Sequence, residues 1–241
     1  MSIHKFKLYS GKDPRNLPAY SLQEASRYTS VSLNTLRSWV HGRSYPTDHG
    51  SKFWKPIIER PSTQEASLSF TNLIEVHVLS AMRRTHKVSM ITVRRSLDYL
   101  GREFKSDHPL AEHNFETDGL DLFVEKYGQL INVSKGGQIA MKDIMRVYLK
   151  RIERDEKGIA RQLFPFTRLT TDEHRNDPKI VAINSMIAFG KPVIVGTGIP
   201  TAIIAERYKT GESIADIADD YRRNVNEIEE AIRCEFEIRA A

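Results

Sequence analysis

The chain is 241 residues long, 40% hydrophobic and 28% charged, which is enough apolar material for one large domain or two smaller ones. No apolar run approaches the roughly 18 residues of a membrane span, and the start, MSIHKFKLYSGKD, lacks the apolar stretch of a secretory signal. A single cysteine, Cys234, excludes an internal disulfide framework and a cysteine-rich zinc site, so a reducing cytoplasm is the expected location.

The net charge of +5 is unevenly spread. Residues 1–110 carry 17 Lys and Arg against 9 Asp and Glu, whereas residues 111–241 carry 19 against 22. A basic front half favours contact with a phosphate backbone and an acidic back half repels it, so the two halves are expected to do different work. The bland alternative is chance clustering of charge on solvated faces.

Residues 1 to about 17 read as an extended arm, because Pro14 and Pro18 oppose a helix. Ser21 with Glu24 forms a capping-box pattern that opens a short helix. Thr29-Ser30 marks a turn, Ser32 caps a second helix and Gly42 ends it. Leu22, Ala25, Val31, Leu36 and Trp39 can close on one another, leaving Asn34, Thr35, Arg37 and Ser38 on a polar face. This is the pattern of a DNA-reading helix-turn-helix.

Residues 43–70 are rich in breakers and read as loop. Helical spacing predicts a helix over 71–87, capped by Thr71, and another over 89–104. Short β-like runs at 114–117, 120–125 and 129–133, separated by Asp118-Gly119 and Tyr127-Gly128, suggest a three-stranded meander. A helix is expected over 138–154, followed by a polar, proline-containing linker over 155–178. Beyond it, 181–183 and 192–195 read as a hairpin, and helices follow at 201–209, 214–221 and from about 225 to Ile238. These last helices look like a second, small helix-turn-helix unit.

The run IAFGKPVIVGTGIPTAIIAERYKTGESIADIADDYRRNVNEIEEAI is similar to a widespread bacterial domain of unknown function. Gly196, Thr197, Gly198, Ile199, Thr201, Gly211, Ser213, Ile214, Ala218, Asp220, Tyr221, Ile228, Ala231 and Ile232 carry the match. The central run, DLFVEKYGQLINVSKGGQIAMKDIMRVYLKRIERDEKGIARQLFPF, resembles the longer VapB-type antitoxins, which place a DNA-binding domain ahead of that one. The resemblance covers nearly the whole chain and implies an antitoxin that binds a PIN-like ribonuclease toxin and its own operator. It also implies a MerR-like character for the first helices.

Weighed residue by residue, Arg37 can reach a guanine edge and Asn34 an adenine edge or a phosphate, while Ser32 and Thr35 can serve phosphates at the helix start. Arg43, Tyr45 and Lys52 belong to a wing or loop along the sugar-phosphate backbone, whereas Trp54 is read as packing against the following helices. The GTGIPT segment lacks the Lys-Ser/Thr of a phosphate loop and reads as a tight turn. Asp216, Asp219 and Asp220 read as solvated or partner-facing rather than as a metal cluster, and Cys234 as packing. The last helix carries an apolar stripe, Val225, Ile228, Ala231, Ile232, Cys234 or Glu235, Phe236 and Ile238, read as mostly core, with the part that so small a domain cannot bury, placed at Ile228, Ile232, Phe236 and Ile238, left for a homodimer or a toxin.

The expected fold is therefore mainly α with small β elements. A helix-turn-helix domain with a central meander and helices fills 1–154, a linker 155–178, and a β-hairpin plus three-helix domain 179–241. The expected DNA-binding residues are Ser32, Asn34, Thr35, Arg37, Ser38, Arg43, Tyr45 and Lys52. Operator duplex, a PIN-like ribonuclease toxin and a second copy are the expected partners, with no membrane, cofactor, metal or catalytic residue. Two rivals stand beside this reading: a MerR-like transcriptional regulator without a toxin, and a nuclease using Asp219 and Asp220.

Overall fold

The computed structural model describes residues 11–48, 50–62, 67–84, 89–112, 115–131, 134–168 and 177–236. The chain is mainly helical with small antiparallel strand pairs, as expected. The arm is not extended throughout. Pro14–Asn16 forms a 3-10 turn capped by the Asp13 side chain, and Arg15 ties it down by pairing with Asp13 and, at 2.8 Å, with Asp155.

Strand β1 (Tyr20–Ser21) pairs with β4 (Ser67–Leu68) and leads into α1 (Leu22–Thr29). The Ser21–Glu24 capping box forms as read. After a three-residue turn comes α2 (Leu33–His41), then a hairpin of β2 (Arg43–Thr47) and β3 (Gly50–Trp54) in place of the predicted loop. Helix α3 (Phe70–Arg84) is the spine of the molecule. Leu73, Ile74, Val76, Val78, Leu79, Ala81 and Met82 are all buried, so this helix is covered all round rather than on one stripe. Its cap is Ser69, which exchanges hydrogen bonds with Asn72, and not Thr71, whose hydroxyl donates to Asn16. Helix α4 (Met90–Phe104) follows.

The predicted meander is overturned. Phe115–Gly119 is a π-helical turn that runs into α5 (Leu120–Ile131), and α6 (Lys135–Leu149) returns beside it. Residues 120–131 bury Leu120, Phe123, Val124 and Tyr127 at helical spacing, and that one-sided burial outweighs the β preference of individual residues. The Asn114 end of the first predicted strand and the Asn132-Val133 end of the last lie outside the described residues.

The helix predicted over 138–154 stops at Leu149, and β5 (Ile152–Arg154) pairs with β6 (Ala160–Leu163) inside the supposed linker. Arg151 is almost fully buried and donates to the carbonyls of Phe164, Pro165, Asp177 and Pro178. Residues 155–159 form the largely exposed turn of this hairpin and 160–168 carry buried residues, so this part is structured, while 169–176 lie outside the described residues. Strands β7 (Val181–Ala182) and β8 (Val193–Ile194) pair, and α7 (Thr201–Lys209), α8 (Ile214–Tyr221) and α9 (Val225–Phe236) complete the chain. A second, smaller core forms here from Ile194, Ile204, Ile217, Ala218, Ile228, Ala231 and Ile232. No helix among the described residues is long and apolar enough to cross a membrane.

Candidate nucleic-acid interface

Helices α1 and α2 make the helix-turn-helix. Ser30 ends α1 in the left-handed conformation (φ 53°), and the Val31 amide donates back to the Ser26 carbonyl at 3.2 Å, which closes the turn. Ala25, Tyr28, Val31, Leu36, Trp39 and Val40 are buried between the helices and the spine. That burial sets the rotation of α2 and leaves Asn34 and Arg37 exposed, with Ser38 half-buried beside them.

The start of α2 differs from expectation. Ser32 caps it and also donates to the Thr35 hydroxyl at 2.9 Å. Arg83, at the end of α3, donates to the same hydroxyl. The Thr35 hydroxyl thus accepts twice and keeps its own proton to donate, and the cation Arg83 stands over the helix start, where the backbone amides favour an anion. Arg83 was not among the expected site residues. It is 48 positions from Thr35 in sequence, and the two side chains meet only in the folded chain.

The β2–β3 hairpin is a wing. Its register pairs Arg43 with Trp54 and Tyr45 with Lys52, so the alternation of a strand places all four on one face. Arg43 and Lys52 are exposed, and the rings of Tyr45 and Trp54 lie 4.4 Å apart between them. Trp54 therefore stacks within the wing instead of packing against the following helices. Gly42 makes the close join between α2 and the wing. Its φ is +78°, and a Cβ there would collide with the Trp54 carbonyl and the Phe53 ring. The wing is held at its exit too: the Ile57 and Ile58 amides both donate to the Trp39 carbonyl, at 2.8 and 3.1 Å, and Arg94 donates to the Lys55 carbonyl. Helix α2 and the wing are thus bonded at entry and exit, and Arg37, Arg43, Lys52 and Arg83 are exposed on or beside them.

The C-terminal helices repeat the geometry with the opposite charge. Laying Ser21 on Ser213 aligns both units without a gap. Both first helices have eight residues and a serine cap, Ser30 and Arg222 are both left-handed, and each second helix begins three residues later. Leu36 and Ile228 coincide, both fully buried. Asn34 falls on Asn226, but Arg37 falls on Glu229. With Asp216, Asp219 and Asp220 exposed on α8, this second unit opposes a phosphate backbone.

The stripe on α9 is mostly core, as expected, and two of the residues expected to dock a partner are covered. Ile228 is 0% and Ile232 9% exposed, both in the small core, so neither presents a surface in this fold. Phe236 is 43% exposed and packs edge-on to Tyr208 at 6.3 Å, while Ile238 lies outside the described residues. Burial pushes the Cys234 thiol up to about 12, consistent with a packing role. The GTGIPT turn is closed by Thr197, whose hydroxyl donates to the Ile194 carbonyl at 2.7 Å and accepts from the Ile199 amide. Among the described residues, no three His, Cys, Asp or Glu side chains gather as a metal-binding group.

The two units are bonded together through α1. Tyr20 donates to the Gly190 carbonyl at 3.0 Å, Lys191 pairs with Glu24, and Arg27 pairs with Glu235 at 2.7 Å. Burial raises the Glu24 carboxyl, but hydrogen bonds from Lys191 and Ser21 outweigh it and hold the group below its usual range. Glu230, buried on α9, accepts from Thr167 and Arg168 and fastens the C-terminal unit to the central segment.

Comparison with known proteins places these two surfaces in separate families. Residues 18–97 match a family described as "Putative DNA-binding HTH domain", and residues 181–233 match DUF433, a protein family of unknown function. The chain is 30% identical over 234 residues to the "Putative antitoxin VapB45" of Mycobacterium tuberculosis, covering 90% of this chain and 93% of that protein. It is 25% identical over 224 residues to the uncharacterized protein Rv2308 of the same organism, covering 88% of each. The crystal structure of Rv2018 from Mycobacterium tuberculosis superposes with a TM-score of 0.64 at 24% identity, over 90% of this chain and 98% of that one, a likeness of fold.

Proposed function

The chain belongs to the family of the mycobacterial protein named "Putative antitoxin VapB45", and we propose that it is the antitoxin of a toxin–antitoxin pair that represses its own operon and neutralises a PIN-like ribonuclease. In this reading α2 enters the major groove with Arg37 and Asn34 toward base edges. The wing lays Arg43 and Lys52 along the backbone, and Arg83 meets a phosphate at the helix start. Tyr45 serves by stacking on Trp54 and stiffening the wing. Ser32 and Ser38 line the approach.

The observation that carries the reading is the charge inversion between two helix-turn-helix units that align without a gap, Arg37 in one and Glu229 in the other. The front unit suits a polyanion. The rear unit suits a cationic protein surface, such as one that tracks a nucleic-acid backbone. The proposed inhibition is steric, with the acidic rear unit occupying the surface that RNA would use, and no catalytic step falls to this chain.

The test uses full-length protein, the DNA upstream of its gene and the product of the adjacent gene. Arg37→Ala is expected to weaken operator binding by about 5- to 150-fold, the equivalent of about 1–3 kcal/mol, at fixed salt and to leave capture of the neighbouring product intact. Glu229→Arg is expected to do the reverse. A wild-type chain that shifts no upstream fragment at low ionic strength and captures no neighbouring product overturns the proposal.

A further inference from the structure

The apolar stripe on α9 is mostly internal, yet another face of the molecule is open. Helices α5 and α6 pack antiparallel, and Gly128 sits so close to Gln138 that a Cβ would strike that side chain. Between them, on the outer side, lies a shallow cleft of about 350 Å³. Val124 is 5% exposed and forms its floor, whereas Ile139 stands at its edge and is 61% exposed. One rim, on α5, carries Asp121 and Glu125; the other, on α6, carries Lys135 and Lys142. Asp121 and Lys142 already pair across the cleft within one chain.

We propose that this face is the homodimer seam, and that its occupant is a second copy of this chain. The argument is self-complementarity. A two-fold interface places the same patch on both sides, so each patch must supply what its twin lacks. A two-fold axis running along the helices lays the α5 rim of one copy on the α6 rim of the other and brings Glu125 toward Lys135, while Asp121 and Lys142 stay paired within each chain. It also offers each exposed Ile139 the apolar cleft of the partner. A uniformly acidic or basic face would repel its own copy, whereas this one carries opposite signs on its two rims. Two helical hairpins joined in this way make a four-helix bundle, a stable packing of amphipathic helices. The seam lies on α5 and α6, leaving the recognition helix, the wing and the acidic α8–α9 unit free. This inference rests on the antitoxin reading only in that a dimer supplies two reading heads to a pseudo-palindromic operator.

The test needs neither DNA nor toxin, so its failure is separate from failure of the operator or toxin reading. Sedimentation equilibrium of the full chain is expected to give twice the 27.6 kDa chain mass at micromolar concentration. Ile139→Asp removes two apolar contacts per dimer and is expected to raise the dimer dissociation constant by about thirtyfold or more. Its circular dichroism should be unchanged, because the side chain is exposed within one chain. Glu125→Lys alone should also weaken the dimer, and adding Lys135→Glu, which exchanges the rims, should restore it. A wild-type chain that stays at single-chain mass overturns the proposal, as does an Ile139→Asp chain that dimerises as tightly as wild type. A Glu125→Lys defect that Lys135→Glu does not relieve overturns the charge pairing.

Discussion

Gly42 illustrates how one residue joins two parts of the interface. Its left-handed φ of +78° with an extended ψ is a region open in practice only to glycine, and the space for a side chain is filled by the Trp54 carbonyl and Phe53. Gly42→Ala is therefore expected to lower stability by about 2 kcal/mol or more and to loosen the wing. Urea unfolding and operator affinity would report the two effects, and an unchanged midpoint would refute the strain argument. His108 is the other informative residue. The Glu75 carboxylate beside its ring, at 3.2 Å, holds the imidazole above its usual value near 6.5 against the opposing effect of burial, with Asp107 and Glu59 adding to the field. The sign follows from linkage. A folded-state pKa above the unfolded one means the contribution is complete below about 6.5 and is lost as pH rises through the raised value. Stability should fall across that window, and His108→Gln should flatten this part of the profile of Tm against pH. An identical profile in the variant would remove His108 as the cause.

At the scale of elements, capping was the most legible feature. Ser21 with Glu24, Ser32 and Ser213 cap the helices that follow them, because a cap is a local contact between residues two or three apart. Ser21→Ala should cost about 1 kcal/mol and lower the thermal midpoint, whereas Ser21→Asp should retain most of it. Equal losses in the two variants would argue against a capping role. The error over 114–133 came from the same local logic. Asp118-Gly119 and Tyr127-Gly128 resemble hairpin turns, but Gly119 is buried in the π-helical turn and Gly128 lies inside α5 against Gln138. Their lack of a side chain serves close packing there, not a reversal of the chain. The wing was missed as a hairpin because its strands are mostly exposed, so no alternation of apolar and polar residues marks them.

At the scale of the whole molecule, the C-terminal unit is bonded to the DNA-reading one. Tyr20, Glu24 and Arg27 all lie on or beside α1, and each has its partner beyond residue 189. Removing residues 179–241 would strip all three, so lost DNA binding in such a truncation would not show that the C-terminal unit touches DNA. Point substitution is the cleaner probe. Arg27→Ala leaves the Glu235 carboxylate, only 7% exposed, without its cation. The expected loss is about 1–2 kcal/mol, or roughly 3–6 °C in Tm, shared by the whole molecule in one calorimetric transition. A shift confined to a separate low-temperature transition would show that the two units unfold independently.

By itself the amino-acid sequence determined the two helix-turn-helix units, the caps that start their helices and the separation of basic front from acidic back. Each of these depends on neighbours within a few turns of chain or on composition. Only the tertiary structure decided which residues remain available. It buried Ile228 and Ile232 in a core of their own, engaged Thr35 with Arg83 from a helix 48 positions away, and left Ile139 uncovered. Burial depends on what packs from elsewhere in the chain, and periodicity along one helix names an apolar face without saying what covers it.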